Sequence, residues 1–142
     1  MASASSKVDV LAQVPLFAKF SKKELKHLAP LVDEVRFPAG KVLITEGRGG
    51  EEAFVIVSGS ASVTRGGSEL RTAEAGEVVG EMALLQPAAV RSATVTAATD
   101  MELLVVGTRA FHSLIMKHPE MSLAIAVGLA ERLREAEQNP AG

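Results

Sequence analysis

Gly80-Glu81-Met82-Ala83-Leu84-Leu85, followed six residues later by Arg91-Ser92-Ala93-Thr94, brings together the groups of this chain best suited to joint chemistry. A flexible Gly, a carboxylate and a small side chain stand where a short helix can begin. Helix N-termini present unpaired N–H groups to anions, and Arg grips a phosphate through two parallel hydrogen bonds. A carboxylate beside such a site repels the anion and needs a partner of its own. A sugar hydroxyl, donating a hydrogen bond, supplies one. These groups suit a small molecule carrying both a phosphate and a ribose.

The segment resembles the phosphate-binding cassette of the cyclic nucleotide-binding domain family. That family spans bacterial catabolite-activator-type regulators, regulatory subunits of cyclic-nucleotide-dependent kinases and gated ion channels. Its pattern is Phe-Gly-Glu-(Leu/Met)-Ala-Leu, a short loop, then (Pro)-Arg-(Ser/Thr/Ala)-Ala. Here Val79 replaces the aromatic, Val90 the Pro, and the loop Gln86 to Val90 has five residues. The run from Gly47 through Phe54 to Gly59 looks like the family's Gly-rich turn, aromatic strand and following Gly. The resemblance covers roughly residues 12–137. It implies a mainly β fold, an eight-stranded jelly-roll-like β-roll flanked by N-terminal and C-terminal α-helices.

The resemblance assigns roles that compete with plainer ones. Arg91 would bind the exocyclic oxygens of a cyclic phosphate; an isolated Arg is by default a surface residue in a weak salt bridge. Glu81 would accept from the ribose 2′-hydroxyl; a carboxylate at a helix start also simply complements the dipole. Gly80, Met82 and Ala83 would be backbone donors or close-approach positions, with Ala93 completing the second half of the motif. Ser92 could donate to phosphate or purine, and does not decide between cyclic AMP and cyclic GMP. Val63 and Val79 are candidates for an apolar wall beside sugar or base, or are strand core. The ligand expected is cyclic AMP, ahead of cyclic GMP, with no cofactor.

The elements that must position these groups follow from patterning. Residues 1–7 read as a disordered polar tail, ahead of a domain over residues 8–138. A short helix over Val8 to Gln13 precedes the docking segment Val14-Pro15-Leu16-Phe17. Ser21 and Glu24 have capping-box spacing, which starts a helix running to Leu31. From residue 33 to 106 short Val-rich segments alternate with Gly turns, the grammar of a sandwich or barrel. Strands are expected at Val35 to Phe37, Lys41 to Thr45, Ala53 to Ser58, Ala61 to Thr64, Arg91 to Ala98 and Met101 to Val106. Gly66-Gly67 suits a tight hairpin, and Gly47 to Gly50 is read as another, since it lacks the Lys and Ser/Thr of a phosphate loop. Helices fill 108–138, with Thr108 as a cap and Pro119 as a first-turn residue. Met121, Ile125, Leu129 and Leu133 form a stripe, while Leu123, Ala126, Val127 and Ala130 make other sides apolar too. Such a helix wants more than one partner surface. Its charged end, Glu131 to Glu137, faces solvent, and Asn139 to Gly142 terminates it.

Totals bound the function. The chain has 142 residues, a net charge of −2, no Cys, five Phe and neither Trp nor Tyr. One domain with an aliphatic core fits that length. The charge balance argues against nucleic-acid binding by this chain alone. No apolar stretch is long enough to span a membrane, and a cytoplasmic setting fits the absence of Cys. His27, His112 and His118 share no metal-ligand spacing. No catalytic grouping stands out, so the expectation is a sensor rather than an enzyme. Binding would move the C-terminal helix as a lid, with Leu133, Arg132 or Arg134 as candidates to cover the base. That helix could also meet a second copy or an effector. The competing reading is a ligand-blind roll serving protein interaction or dimerisation.

Overall fold

In the structure, a computed structural model, residues 4–138 are described; residues 1–3 and the expected terminator at Asn139 to Gly142 lie outside that range. Eight strands form, β1 (Asp33–Phe37), β2 (Val42–Ile44), β3 (Glu52–Ser58), β4 (Ala61–Arg65), β5 (Ser68–Ala73), β6 (Val78–Val79), β7 (Thr94–Ala97) and β8 (Met101–Gly107). They make two four-stranded antiparallel sheets, ordered β1-β8-β3-β6 and β2-β7-β4-β5. Four helices flank them, α1 (Ala4–Leu11), α2 (Lys22–Leu28), α3 (Thr108–Lys117) and α4 (Pro119–Gln138). This is the β-roll with helices at both ends that the resemblance implied.

β3 and β8 form the centre of the molecule because both of their faces are buried. Phe54, Ile56, Leu103 and Val105 point between the sheets, where Ile44, Val63, Val79 and Val95 meet them. Ala53, Val55, Leu104 and Val106 point the other way, onto the helices. Alternate side chains of a strand serve opposite faces, so strands covered on both sides read as continuous apolar runs. The helical layer packs Leu11, Phe17, Leu28, Phe111 and Met121 against that outer face. Phe17 and Phe111 meet at a ring-centroid distance of 5.6 Å.

Local signals hold at several points and fail at others for identifiable reasons. The Ser21–Glu24 capping box forms in both directions. Gly66 and Gly67 both take positive φ (57° and 83°) between the paired β4 and β5, as a tight hairpin requires. The turn at Gly47 to Gly50 is not a hairpin, since β2 and β3 belong to different sheets. β5 and β6 escape the sequence pattern: β5 buries only Ala73, and β6 has two residues. Helix α1 begins at Ala4, so the polar segment up to Lys7 is helical rather than a disordered tail. The Lys7 ammonium donates to Val32 O at 2.8 Å. Thr108 is not a cap; Gly107 occupies that position without a side-chain bond.

Helix α4 has its apolar anchor at one end only, with a half-exposed Lys19–Glu131 ion pair at 2.8 Å further along. Met121 and Ile125 are buried in the main core, whereas Leu123, Val127, Leu129 and Leu133 are exposed. Its charged half from Glu131 onward is exposed throughout. Met121→Ala should therefore destabilise the fold by about 2–5 kcal/mol, and Leu133→Ala by well under ~1 kcal/mol, in urea unfolding. Equal costs would show that the distal half of the helix is packed as firmly as its base.

Candidate functional site

Gly80 begins the site. It takes φ +75°, a left-handed conformation, and turns the chain from β6 into a one-turn 3-10 helix at Glu81–Leu84. Leu84 is fully buried and Ala83 nearly so, which fixes this turn against the helical layer. Thr108, at the start of α3, ties it further. Its hydroxyl donates to Ala83 O at 3.1 Å and its N–H to Glu51 O at 2.7 Å. His112 reaches from the next turn of α3 to Leu84 O at 2.5 Å.

Arg91 lies ahead of β7 rather than inside a strand, because regular pairing starts only at Thr94. Gly47 and Arg48 hold its backbone instead. Arg91 N–H donates to Arg48 O at 2.7 Å and Gly47 N–H to Arg91 O at 2.8 Å, next to a bridge between Gly49 and Val90. The guanidinium donates from Nη1 to Gly80 O at 3.2 Å and from Nη2 to Glu52 O at 2.7 Å. Burial lowers its pKa, with the Glu52 charge acting in the opposite sense. It stays charged, as guanidinium does in proteins.

Between these two groups opens a cavity of about 290 Å³, at the small end of ligand clefts, which run from ~300 to 1,000 Å³. Gly80, Glu81, Met82, Ala83, Arg91, Ser92 and Ala93 all line it, and so do Val63 and Val79. The tertiary structure thus brings these nine candidates to one place, whereas the candidates to cover the base, Arg132, Leu133 and Arg134, do not line the cavity. Ala83 N–H closes the 3-10 turn on Gly80 O at 3.2 Å, so it can serve an anion only by leaving that bond. Residues that sequence reasoning passed over also line the cavity, most notably Arg71 on β5. Its Nη1 sits 3.3 Å from the Glu77 carboxylate. The signal was there in principle, since Arg71 pairs across the sheet with Val63, but an unrecognised strand offers no register from which to see it.

The family model of the cyclic nucleotide-binding domain matches residues 34–118. The chain belongs to that family. A cAMP-dependent protein kinase regulatory subunit of Aspergillus niger is 31% identical over 107 residues, 74% of this chain and 26% of that protein. A cGMP-dependent protein kinase of Caenorhabditis briggsae is 31% identical over 109 residues, 77% of this chain and 14% of that protein. Among solved structures, the N-terminal domain of a transcriptional regulator from Streptomyces coelicolor superposes with a TM-score of 0.82 at 30% identity, covering 92% of this chain and 93% of that one. The chain spans about a quarter or less of the length of these two kinase relatives. As a cyclic nucleotide-binding domain it is of the sensor type, although full-length relatives include kinases. Among the described residues no helix is long and apolar enough to cross a membrane, and no group of three or more His, Cys, Asp or Glu side chains could hold a metal. His27 and His118 do stack, at 4.4 Å between centroids, a proximity that their spacing does not reveal.

Glu81 is the electrostatically uncomfortable member of this domain. One carboxylate oxygen, Oε2, is shut off from solvent with no hydrogen-bond partner. Desolvation raises its pKa above the ordinary 4.5, partly opposed by the Arg132 charge on α4 and by a hydrogen bond from the Leu16 backbone. A carboxyl shifted this way favours the fold in its protonated form; that contribution is complete below 4.5 and is lost as pH rises through the raised value. Glu81→Gln should therefore raise the melting midpoint of the ligand-free protein at neutral pH and leave it nearly unchanged under mild acid. Thermal unfolding across about pH 4 to 7 checks this, and a lower midpoint at neutral pH would show that the charge is satisfied.

Proposed function

We propose that the cavity binds a 3′,5′-cyclic nucleotide, with the phosphate on Arg91 and the ribose 2′-hydroxyl on Glu81. The observation that carries this reading is that one cavity is lined by both a fixed guanidinium and Glu81, whose solvent-shielded Oε2 lacks a donor and meets a ligand hydroxyl once the carboxylate turns into the cavity. A phosphate accepts from the first; a hydroxyl donates to the second. Gly80, Met82, Ala83, Ser92 and Ala93 would approach the phosphate and sugar through backbone or small groups, with Val63 and Val79 as apolar wall. A ligand-blind roll would have no use for a buried carboxylate oxygen without a donor, which costs stability.

Cyclic AMP is the ligand the sequence favoured, and Arg71 supports a second reading. Guanine presents O6 and N7 as two acceptors on one edge, whereas adenine places a donor N6 beside N7. An Arg has donors only, so at the base end of the cavity it would favour cyclic GMP. Either nucleotide should raise the melting midpoint by roughly 5–10 °C at about one-hundredfold its dissociation constant, and 5′-AMP by much less. Arg91→Ala should weaken binding by about 2–5 kcal/mol with the fold retained. Arg71→Ala should cost cyclic GMP affinity and spare cyclic AMP. No shift with either nucleotide at millimolar concentration would leave the roll as an interaction module.

The signal would pass to α4. Its base is fixed by Met121 and Ile125, while Arg132, further along, is close enough for its charge to act on Glu81. A ligand hydroxyl that satisfies Glu81 changes what Arg132 faces, and the weakly anchored distal half can respond at little cost. The exposed Leu123, Val127 and Leu133 give α4 an apolar face for a second copy or an effector domain. Hydrogen exchange with and without nucleotide should change around Gly80 to Ala93 and beyond Gly128, and far less in β1. An α4 with identical exchange in both states would remove it as the moving part.

A further inference from the structure

The last two residues of the Gly47 to Gly50 turn, Gly49 and Gly50, look alike in sequence and differ in what surrounds them. A Cβ on Gly49 would meet nothing within 4 Å. A Cβ on Gly50 would lie 1.9 Å from Arg91 Nε, 2.1 Å from Cζ and 2.3 Å from Nη2. Neither residue takes a positive φ, so no backbone strain demands Gly at either position. The guanidinium occupies the space that a side chain at residue 50 would need.

We infer that Gly50 is a positioning residue for Arg91, its missing side chain allowing the guanidinium to lie across the start of β3. From there Nη1 reaches Gly80 O and Nη2 reaches Glu52 O, which occupies two of the five N–H donors and leaves the others for an anion. The turn thus acts on Arg91 twice, holding its backbone through Gly47 and Arg48 and clearing its side chain through Gly50. The obstructing atoms belong to a flexible side chain, so an added methyl displaces Arg91 before it disturbs the fold. That Gly50 controls ligand affinity rests on the cyclic nucleotide reading of the cavity; that it controls the place of Arg91 does not.

The test compares Gly50→Ala with Gly49→Ala. In titration calorimetry with cyclic AMP and cyclic GMP, Gly50→Ala should lose at least ~10-fold in affinity, a difference of about 1.4 kcal/mol, while Gly49→Ala binds as the unsubstituted chain does. Gly50→Ala combined with Arg91→Ala should bind no worse than Arg91→Ala alone, because the displaced group is already gone. The Nε–H resonance of Arg91, assigned by its loss in Arg91→Ala, should shift in Gly50→Ala and stay in place in Gly49→Ala. Wild-type affinity in Gly50→Ala, or an unmoved Arg91 resonance, overturns the inference. If the unsubstituted chain binds neither nucleotide, the functional reading falls and the resonance still decides the positioning role. If Gly50→Ala does not fold, Arg91→Ala in the same chain should restore folding by removing the clash, and failure to restore it counts against Gly50 as a clearance for Arg91.

Discussion

A guanidinium partly withdrawn from water is the constraint around which this domain is arranged. Arg91 cannot shed its charge, so burial must be offset by acceptors held in place beforehand. Two backbone carbonyls do this, Gly80 O from the turn into the 3-10 helix and Glu52 O from β3. Each comes from a different part of the chain, and each part is fixed by something else. Gly80 must take a left-handed φ, and a Cβ there would also fall 2.7 Å from Arg91 Nη1. Glu52 opens the strand whose alternate residues serve both cores.

The opposite wall follows a different logic. Arg91 has more donors than its protein partners use, whereas Glu81 has an oxygen with no partner at all. Spare donors at one point and an unsatisfied acceptor at another are what the proposed ligand, carrying both an anion and a hydroxyl, would complement. The same imbalance leaves the ligand-free state open to stabilisation by binding. Thr108 then links this wall to α3, with one bond to Ala83 O and another to Glu51 O, just ahead of β3. Since Glu51 and Glu52 are adjacent, the short stretch where the chain enters β3 holds both Arg91 and the first residue of the C-terminal helices.

Rigidity is unequally shared. β3 and β8 are covered on both faces, and the helices that close over them meet a continuous layer built on Phe17, Phe111 and Met121. Beyond Ile125, α4 leaves this layer, and Leu133 is 63% exposed. The proposed coupling of occupancy to displacement of α4 draws on this contrast between a packed site wall and a thinly packed helix end.

The sequence alone was enough to single out residues that line the cavity, because Glu81, Ala83 and Arg91 sit at short spacings within a recognisable family pattern. It also identified the Ser21 cap and the Gly66-Gly67 hairpin, whose physics is local. It missed β5 and β6, where one buried residue or a length of two leaves no periodicity to read. It misjudged Gly47 to Gly50 as a hairpin and Thr108 as a cap, since both roles depend on partners distant along the chain. Arg71 and Gly50 were invisible for the same reason: only folding sets one in the cavity wall and the other beneath Arg91. Chemical type and short-range geometry are written in consecutive residues. Which side chain fills which space is decided by strand pairing and sheet packing, and these join residues that the linear order keeps apart.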